Sequence, residues 1–255
     1  MRRHNQNRRQ FMQNSAAACA GATASASVIA LILPGAADAS EGSAYDWTKH
    51  RWVYLIDTTK CIGCGSCSRA CRQENSVPEG RYRTWVERIA IPTEGEVHVD
   101  SPKGGEFGFD PDPARSHVKK TFFVPKLCNH CANTPCTQVC PVGASFSTKD
   151  GVVLVDDKQC IGCGYCVQAC PYGSRYFNPA THTADKCTLC YHRITKGMTT
   201  ACVQACPVGA RRLGDRKNPD DPVNEILATR RIQVLQAQLL TKPQCFYLGL
   251  DMEVR

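Results

Sequence analysis

The sequence lacks the motifs that a catalytic site with an organic cofactor would need. Its 255 residues contain neither a flavin nor a nucleotide fingerprint, so no dinucleotide or nucleoside triphosphate site is predicted. They contain no RNA- or DNA-binding motif either, and the formal net charge of +8 therefore does not by itself indicate a nucleic-acid footprint. We expect no nucleic-acid partner, no small-molecule substrate and no catalytic residue in this chain.

A long run of large apolar residues is also missing. Residues 16–33 are about long enough to cross a bilayer, but they are mostly Ala, Ser and Thr before Val28. This stretch follows Arg8-Arg9-Gln10-Phe11-Met12, which resembles a twin-arginine export signal, and precedes the cleavage-like site Ala37-Asp38-Ala39. We predict a signal peptide at residues 1–39 and a periplasmic mature protein, with a retained membrane anchor as the alternative.

Cysteine, by contrast, is abundant. Of the 18 cysteines, sixteen fall into four groups of four. In chain order the groups are Cys61, Cys64, Cys67 and Cys71; Cys128, Cys131, Cys136 and Cys140; Cys160, Cys163, Cys166 and Cys170; and Cys187, Cys190, Cys202 and Cys206. Groups one and three have the spacing C-x2-C-x2-C-x3-C, and groups two to four end in Cys-Pro.

This spacing is typical of thiolate-bound 4Fe-4S clusters. Three cysteines at i, i+3 and i+6 lie on one loop and present thiolates to three corners of a cubane. The fourth cysteine reaches that cubane poorly and ligates the other cluster of a pair, while the proline after it turns the chain away. We therefore predict that all sixteen cysteines are iron ligands of four 4Fe-4S clusters.

Two other uses of cysteine remain open at this stage. A disulfide framework suits a small secreted chain, but it does not require quartets of this spacing. Structural zinc uses two C-x2-C pairs separated by a long loop, and only group four resembles that pattern. The predicted export favours clusters, because free thiols would be oxidised outside the cytoplasm, whereas the twin-arginine route carries folded proteins with their cofactors inserted.

Histidines and lysines near the cysteines are secondary candidates. His130, His182 and His192 lie close to cysteines, but with all sixteen thiolates available they are not needed as ligands. Lys60, Lys126, Lys158 and Lys186 lie near first cysteines; they are candidates for raising cluster potentials, and solvent-exposed lysines are an equal alternative. Cys245 has no partner group and is expected to pack as a small apolar side chain.

An internal repeat organises the chain. Residues 138–144, 168–174 and 204–210 share one pattern, and residues 60–65 and 159–164 share another. We predict an α+β fold with little regular structure, made of two ferredoxin-like two-cluster modules, one inserted in the other. The inner module holds groups two and three, and the outer module holds groups one and four. The predicted boundaries are 40–117 for the first half of the outer module, 118–178 for the inner module, 179–215 for the second half of the outer module, and 216–255 for a C-terminal helix and docking tail.

Hydrophobic periodicity predicts a few regular elements. Strands are expected at residues 51–57, 84–91, 120–125 and 151–155, and a short helix at residues 68–75. Residues 92–117 are rich in Gly, Pro and Asp and are predicted to be an exposed insertion. Asp221-Pro222 predicts a helix start, with the helix continuing to about residue 240 and an extended aromatic tail after it.

The four groups in this order resemble the four-cluster iron–sulfur subunit of the dimethyl sulfoxide reductase and polysulfide reductase family. Residues 183–187 and 241–243 also look like segments of that family, and the resemblance covers residues 50–250. It implies an electron-transfer subunit without catalysis of its own. Its implied partners are an integral membrane quinone-reactive subunit and a molybdopterin catalytic subunit or a cytochrome. A freestanding periplasmic polyferredoxin shuttle is the alternative.

The resemblance also implies that cysteines are exchanged between groups. For the two terminal clusters the implied ligand sets are Cys61, Cys64, Cys67 with Cys206, and Cys187, Cys190, Cys202 with Cys71. For the two inner clusters they are Cys128, Cys131, Cys136 with Cys170, and Cys160, Cys163, Cys166 with Cys140.

Overall fold

The computed structural model describes residues 45–111 and 118–251. The predicted signal peptide at residues 1–39 lies outside the described residues. Within the described ranges, no helix has both the length and the apolar character to span a membrane. Residues from Asp46 onward belong to one compact unit.

Short strands and short helices alternate along the chain, as the low-regularity α+β prediction requires. The strands are β1 (Trp52–Asp57), β2 (Thr84–Pro92), β3 (His98–Asp100), β4 (Val118–Leu127), β5 (Ser145–Ser147), β6 (Val153–Val155), β7 (Arg175–Phe177), β8 (Ala184–Lys186), β9 (Arg211–Asp215), β10 (Ile232–Gln233) and β11 (Cys245–Leu248). The helices are α1 (Ser66–Asn75), α2 (Pro135–Gln138), α3 (Tyr165–Gln168), α4 (Tyr191–Ile194), α5 (Ala201–Gln204) and α6 (Pro222–Thr229), with 3-10 segments at Trp47–Lys49, Pro102–Gly105 and Ala237–Leu239.

The largest sheet has the strand order β10-β11-β1-β9. Residues 53–56 of β1 are four consecutive apolar residues, and all four are buried. Because successive side chains of a strand point to opposite faces, β1 is covered on both sides. Val53 and Leu55 pack against Val223 of α6, whereas Tyr54 and Ile56 face the main core with several cysteines. β1 runs parallel to β11 and antiparallel to β9.

A second sheet and two hairpins complete the β-structure. The second sheet has the order β3-β2-β4, and β2 and β4 pair along their length from Thr84↔Leu127 to Pro92↔Val118. The hairpins β5-β6 and β7-β8 each follow a Cys-Pro turn of the inner module. All four predicted strands are present, with ends that differ by no more than two residues.

The predicted C-terminal helix is too long. α6 ends at Thr229, and the next residue already has an extended backbone. Ile232 and Gln233 then pair with β11, and Leu235 enters the main core. Pairing and burial thus outweigh the helical propensity of residues 232–240, while the aromatic tail is extended as predicted.

The insertion at residues 92–117 is also more structured than predicted, as far as its described residues 92–111 show. β3 pairs with β2, and Gly104, Gly105 and Glu106 are buried. The Glu106 carboxylate accepts hydrogen bonds at 2.6 and 2.7 Å from Arg72 of α1. This buried ion pair holds the insertion against the loop of cysteine group one.

Candidate metal centres

The third cysteine of every group occupies the same structural position. Cys67, Cys136, Cys166 and Cys202 are each the second residue of a helix, namely α1, α2, α3 and α5. In groups one to three the preceding cysteines lie in the loop that leads into this helix, whereas in group four α4 separates Cys187 and Cys190 from α5. The positive end of the helix backbone dipoles favours a thiolate at this place.

Close packing in the loops requires glycine at one position in particular. Gly65 precedes α1 with φ +70°, and a Cβ there would collide with the backbone oxygens of Gly105 and Glu106. Gly164 has a similar φ, +80°, before α3. The repeated glycine thus has a backbone conformation that side chains disfavour, and at Gly65 it also admits the insertion against the loop.

Two cavities collect cysteines from separate groups. One is lined by Cys71 of group one together with Cys187, Cys190 and Cys202 of group four. The other is lined by Cys140 of group two together with Cys160, Cys163 and Cys166 of group three. In both, three cysteines of one group meet the last cysteine of another.

The remaining eight cysteines also approach one another in this way. Burial raises the pKa of Cys131 to about 12, and the neighbouring thiolates of Cys128, Cys136 and Cys170 add to the increase.

Burial likewise raises the pKa of Cys61 to about 11, with Cys67 and Cys206 contributing, and Cys64 adds to the raised pKa of Cys67. In both sets the fourth cysteine, Cys170 or Cys206, comes from a different group than the other three.

Eight of the cysteines line two cavities instead of converging on a point. In residues 45–111 and 118–251, no group of three or more His, Cys, Asp or Glu residues could hold a single metal ion. All seventeen cysteines in these ranges are free of disulfide bonds. Sulfur ligands around a cavity suit a multi-iron cluster, whereas a zinc ion needs all four sulfurs about 2.3 Å from one centre.

Buried donors without partners lie beside the cysteines, where an anionic group would satisfy them. Nη1 and Nη2 of Arg211 and Nε and Nη1 of Arg175 are buried and have no hydrogen-bond partner among the described residues. Burying a charged donor unpaired is costly. The neighbouring groups are Cys67, the Tyr54 hydroxyl and Cys202 beside Arg211, and Cys136, Cys128 and Cys166 beside Arg175. Thiolate and sulfide sulfurs of a bound cluster would accept these hydrogen bonds.

His130 contributes a further buried donor. The Val153 amide donates a 3.0 Å hydrogen bond to Nδ1, so the ring proton is on Nε2, which is buried and without a partner among the described residues. Burial, with the charges of Lys186 and Arg175, lowers the pKa of His130 well below its ordinary value. The ring is therefore neutral, with its one N–H on Nε2.

Several hydrogen bonds already reach cysteine sulfurs. The Tyr54 hydroxyl is 3.1 Å from Sγ of Cys202, and the Ala210 amide donates to Sγ of Cys206 at 3.3 Å. Around Cys140, burial pushes the thiol pKa upward, but backbone amides at residues 142–145 outweigh this and lower it. Such donors stabilise the thiolate form that iron requires.

Of the four candidate lysines, only Lys186 is buried beside the cysteines. Burial lowers its pKa, which Cys128 and Cys187 partly restore, and its Nζ donates to the carbonyl oxygens of Val153 and Cys187. Lys60 forms an exposed pair with Asp57, Lys126 pairs with Glu87 at 2.7 Å, and Lys158 is exposed. His182 is exposed, and His192 pairs with Glu74 at 2.7 Å.

Arg175 and Arg211 are candidate functional residues that the sequence prediction does not include. The sequence does contain a pattern that could have indicated them, because each arginine follows the cysteine of a Cys-Pro motif by five residues. The segments are Cys170-Pro-Tyr-Gly-Ser-Arg175 and Cys206-Pro-Val-Gly-Ala-Arg211. The repeat defined over residues 168–174 and 204–210 ends one residue too early to include the arginine that both modules share.

Comparison with known proteins gives matches over most of the chain. Residues 60–144 and residues 119–216 each match a family described as a 4Fe-4S dicluster domain. The chain is 41% identical over 249 residues to a tetrathionate reductase subunit of Salmonella typhimurium, covering 96% of this chain and 88% of that protein.

Two further relatives come from other organisms. A tetrathionate reductase subunit of Archaeoglobus fulgidus is 47% identical over 200 residues, covering 78% of this chain and 83% of that protein. A polysulfide reductase subunit of Wolinella succinogenes is 37% identical over 200 residues, covering 77% and 93%. The similarity therefore extends across most of the length of each relative.

Proposed function

The chain belongs to the iron–sulfur subunits of reductase complexes with 4Fe-4S dicluster domains, and on that premise we propose which complex it serves and which cysteines hold the clusters. Two dicluster domains imply four 4Fe-4S clusters, and the role of the subunit is electron transfer. We propose that single electrons pass between an integral membrane quinone-reactive subunit and a molybdopterin catalytic subunit or a cytochrome. The proposed location is the periplasm, reached by the twin-arginine route.

The observation that carries the ligand assignment is the mixing of groups around each cavity. Cys71 joins three cysteines of group four, and Cys140 joins three of group three. The approach of Cys206 to Cys61, and of Cys170 to Cys131, supports the same exchange in the other two sets. The four ligand sets are those that the family resemblance implies, and they use all sixteen cysteines.

The contacts between sets support a linear order of clusters. Cys67 lies near Cys202, so the set of group one adjoins that of group four. Cys128 lies near Cys187, and this contact joins the outer module to the inner one. Arg175 lies near both Cys128 and Cys166, which connects the two inner sets. Electrons would then enter and leave at the sets of groups one and three. In this order the set of group four is an inner one and that of group three a terminal one, the reverse of what the family resemblance implies.

The ligand sets at the two ends of this proposed order, those of groups one and three, both have exposed apolar side chains beside them. Ile62 and Ile161 occupy the same place in their loops, between the first and second cysteines, and are 57% and 64% exposed. Cys163 is exposed beside Ile161, and Tyr165 is 58% exposed. Apolar side chains around a near-surface cluster suit docking of another protein, which favours a subunit between two partners.

Tetrathionate is the substrate we favour for the catalytic partner. The relatives at 41% and 47% identity are named for tetrathionate reductase, whereas two named for selenate reductase are 32% and 31% identical. Washed membranes of the native host should oxidise a reduced viologen dye with tetrathionate, and this activity should be lost when the gene for this chain is deleted. Loss of selenate-dependent oxidation alone would contradict this assignment.

The decisive experiment is anaerobic purification of the native protein from membranes. We expect a complex with a membrane subunit and a catalytic subunit, with iron and sulfide equivalent to four clusters in this chain. Recovery of the chain alone in the soluble periplasmic fraction, with full iron content, would favour the polyferredoxin shuttle. Recovery of zinc in place of iron would contradict the electron-transfer function.

A further inference from the structure

Arg211 lies at the boundary between two proposed ligand sets. Its positive charge acts on Cys61 and Cys67 of one set and on Cys71 of the other. Cys202, also of the second set, acts in turn on the arginine. The guanidinium thus lies beside cysteines of both proposed outer ligand sets.

The position of Arg211 follows from its strand. It is the first residue of β9 and lies opposite Ile56 of β1, whose side chain faces the core. Arg211 is 3% exposed, and its two terminal nitrogens have no partner among the described residues. Arg212, the next residue, lies opposite Leu55 and is exposed.

The inner module contains an equivalent arginine. Arg175 follows Cys170 at the same distance as Arg211 follows Cys206, and it lies near Cys128, Cys136 and Cys166. It is anchored on one side, where Nη2 donates a 2.6 Å hydrogen bond to Ser145. Each module therefore has a buried guanidinium between its two ligand sets.

A fixed cation at this place has a definite effect on redox chemistry. Reduction of a thiolate-bound cluster adds one electron, and hence one negative charge, to a group that is already anionic. A guanidinium is always protonated in proteins, and charges interact strongly in a buried, low-dielectric site. Charge and hydrogen bonds to sulfur are two of the terms that set cluster potentials.

We propose that Arg211 raises the reduction potentials of both outer clusters, as a permanent charge and hydrogen-bond donor shared between their ligands. The proposal rests on the proposed ligand sets. One residue then raises the reduction potentials of two neighbouring clusters, so that an electron passes between the clusters without a large change in potential. Arg175 has the corresponding position for the inner pair.

The test is a redox titration monitored by electron paramagnetic resonance on anaerobically purified holoprotein. Arg211→Gln should lower the midpoint potentials of two of the four clusters, each by at least about tenfold in the equilibrium constant for reduction, about 59 mV for one electron. Arg211→Lys retains the charge and should shift them by less than half as much. Arg212→Gln, an exposed neighbour on the same strand, should leave all four potentials unchanged.

Iron and sulfide content separate the outcomes. Unchanged potentials in Arg211→Gln with full iron content would overturn the proposal, as would an equal shift of all four clusters. If Arg211→Gln loses iron, Arg175→Gln provides the same measurement on the inner pair, and iron loss in both would assign the arginines to assembly instead and overturn the proposal. A wild-type protein without four cluster signals would contradict the proposed function itself.

Discussion

At the residue scale, the buried thiols of this chain need neighbouring groups that stabilise their deprotonated form. Burial raises the pKa of Cys187 well above its ordinary value, and the neighbouring thiolates of Cys71 and Cys202 raise it further. Iron needs the deprotonated form. Metal charge and buried donors such as Arg211 must therefore supply the stabilisation that water gives to an exposed thiolate, which explains why cations are buried where cysteines converge.

Substitution of Cys206 by Ser tests the exchange of ligands between groups. We expect Cys206→Ser to perturb the cluster signal assigned to group one, because Cys206 lies near Cys61, and to leave the group-four signal intact. Electron paramagnetic resonance of the reduced holoprotein measures this. Cys202→Ser is the matched control and should perturb group four. Loss of only the group-four signal in Cys206→Ser would refute the exchange.

The Tyr54 hydroxyl gives a second prediction at this scale. With Cys202 as a thiolate, the tyrosine is the donor in their 3.1 Å contact, and this hydrogen bond favours the reduced cluster. Tyr54→Phe should lower one cluster potential, by less than Arg211→Gln does, in the same redox titration. Tyr82→Phe is the control, since Tyr82 packs on Arg72. A potential that rises in Tyr54→Phe would contradict the prediction.

At the scale of elements, ion pairs fasten the insertion to the cluster loops. The Arg72–Glu106 pair is largely buried, with side chains 25% and 7% exposed. Removing one partner of such a pair leaves an uncompensated charge. Arg72→Gln should therefore lower the free energy of unfolding by about 3 kcal/mol, measured by anaerobic guanidinium titration.

The exposed pair Lys49–Asp46 provides the control for this measurement. Its nitrogen and oxygen are 3.8 Å apart, and both side chains are largely accessible to solvent. Lys49→Gln should change the free energy of unfolding by less than about 1 kcal/mol. Equal effects of the two substitutions would show that the insertion contributes little to holding the first loop.

Most elements can be predicted from the sequence because their signals are local. The strand beginning at Trp52 and the helix ending at Asn75 have the expected places, since apolar runs and cysteine spacing determine them. The end of α6 at Thr229 and the burial of Glu106 depend on distant partners, β11 and Arg72. The residues adjacent to Thr229 and Glu106 in the sequence do not indicate these contacts with distant segments.

At the scale of the whole molecule, cluster ligands replace much of the usual apolar core. The main core contains Cys67, Cys128, Cys187 and Cys202 among its buried residues, and most of the helices have fewer than five residues. Bonds to metal then contribute directly to folding stability. The shape of the molecule depends on iron and sulfide as much as on side-chain packing.

Removal of the clusters should therefore unfold the protein. After oxidation with ferricyanide in the presence of a chelator, we expect loss of the native circular dichroism spectrum and of cooperative unfolding, because the sixteen cysteines no longer join distant segments. Chelator without oxidant should leave both signals intact. A cluster-free chain that retained a cooperative transition would show that its packing suffices without metal.

The parallel pairing of β11 with β1 has a consequence for biosynthesis. A ribosome releases β1 early and β11 only after every cysteine group has emerged, so the sheet that carries Tyr54 and Arg211 stays incomplete during translation. The inner pair, whose cysteines lie between residues 128 and 170, can receive its metal on the nascent chain. The proposed ligands of the outer pair are complete only after Cys206 has emerged, and their exposed thiols need protection in the interval.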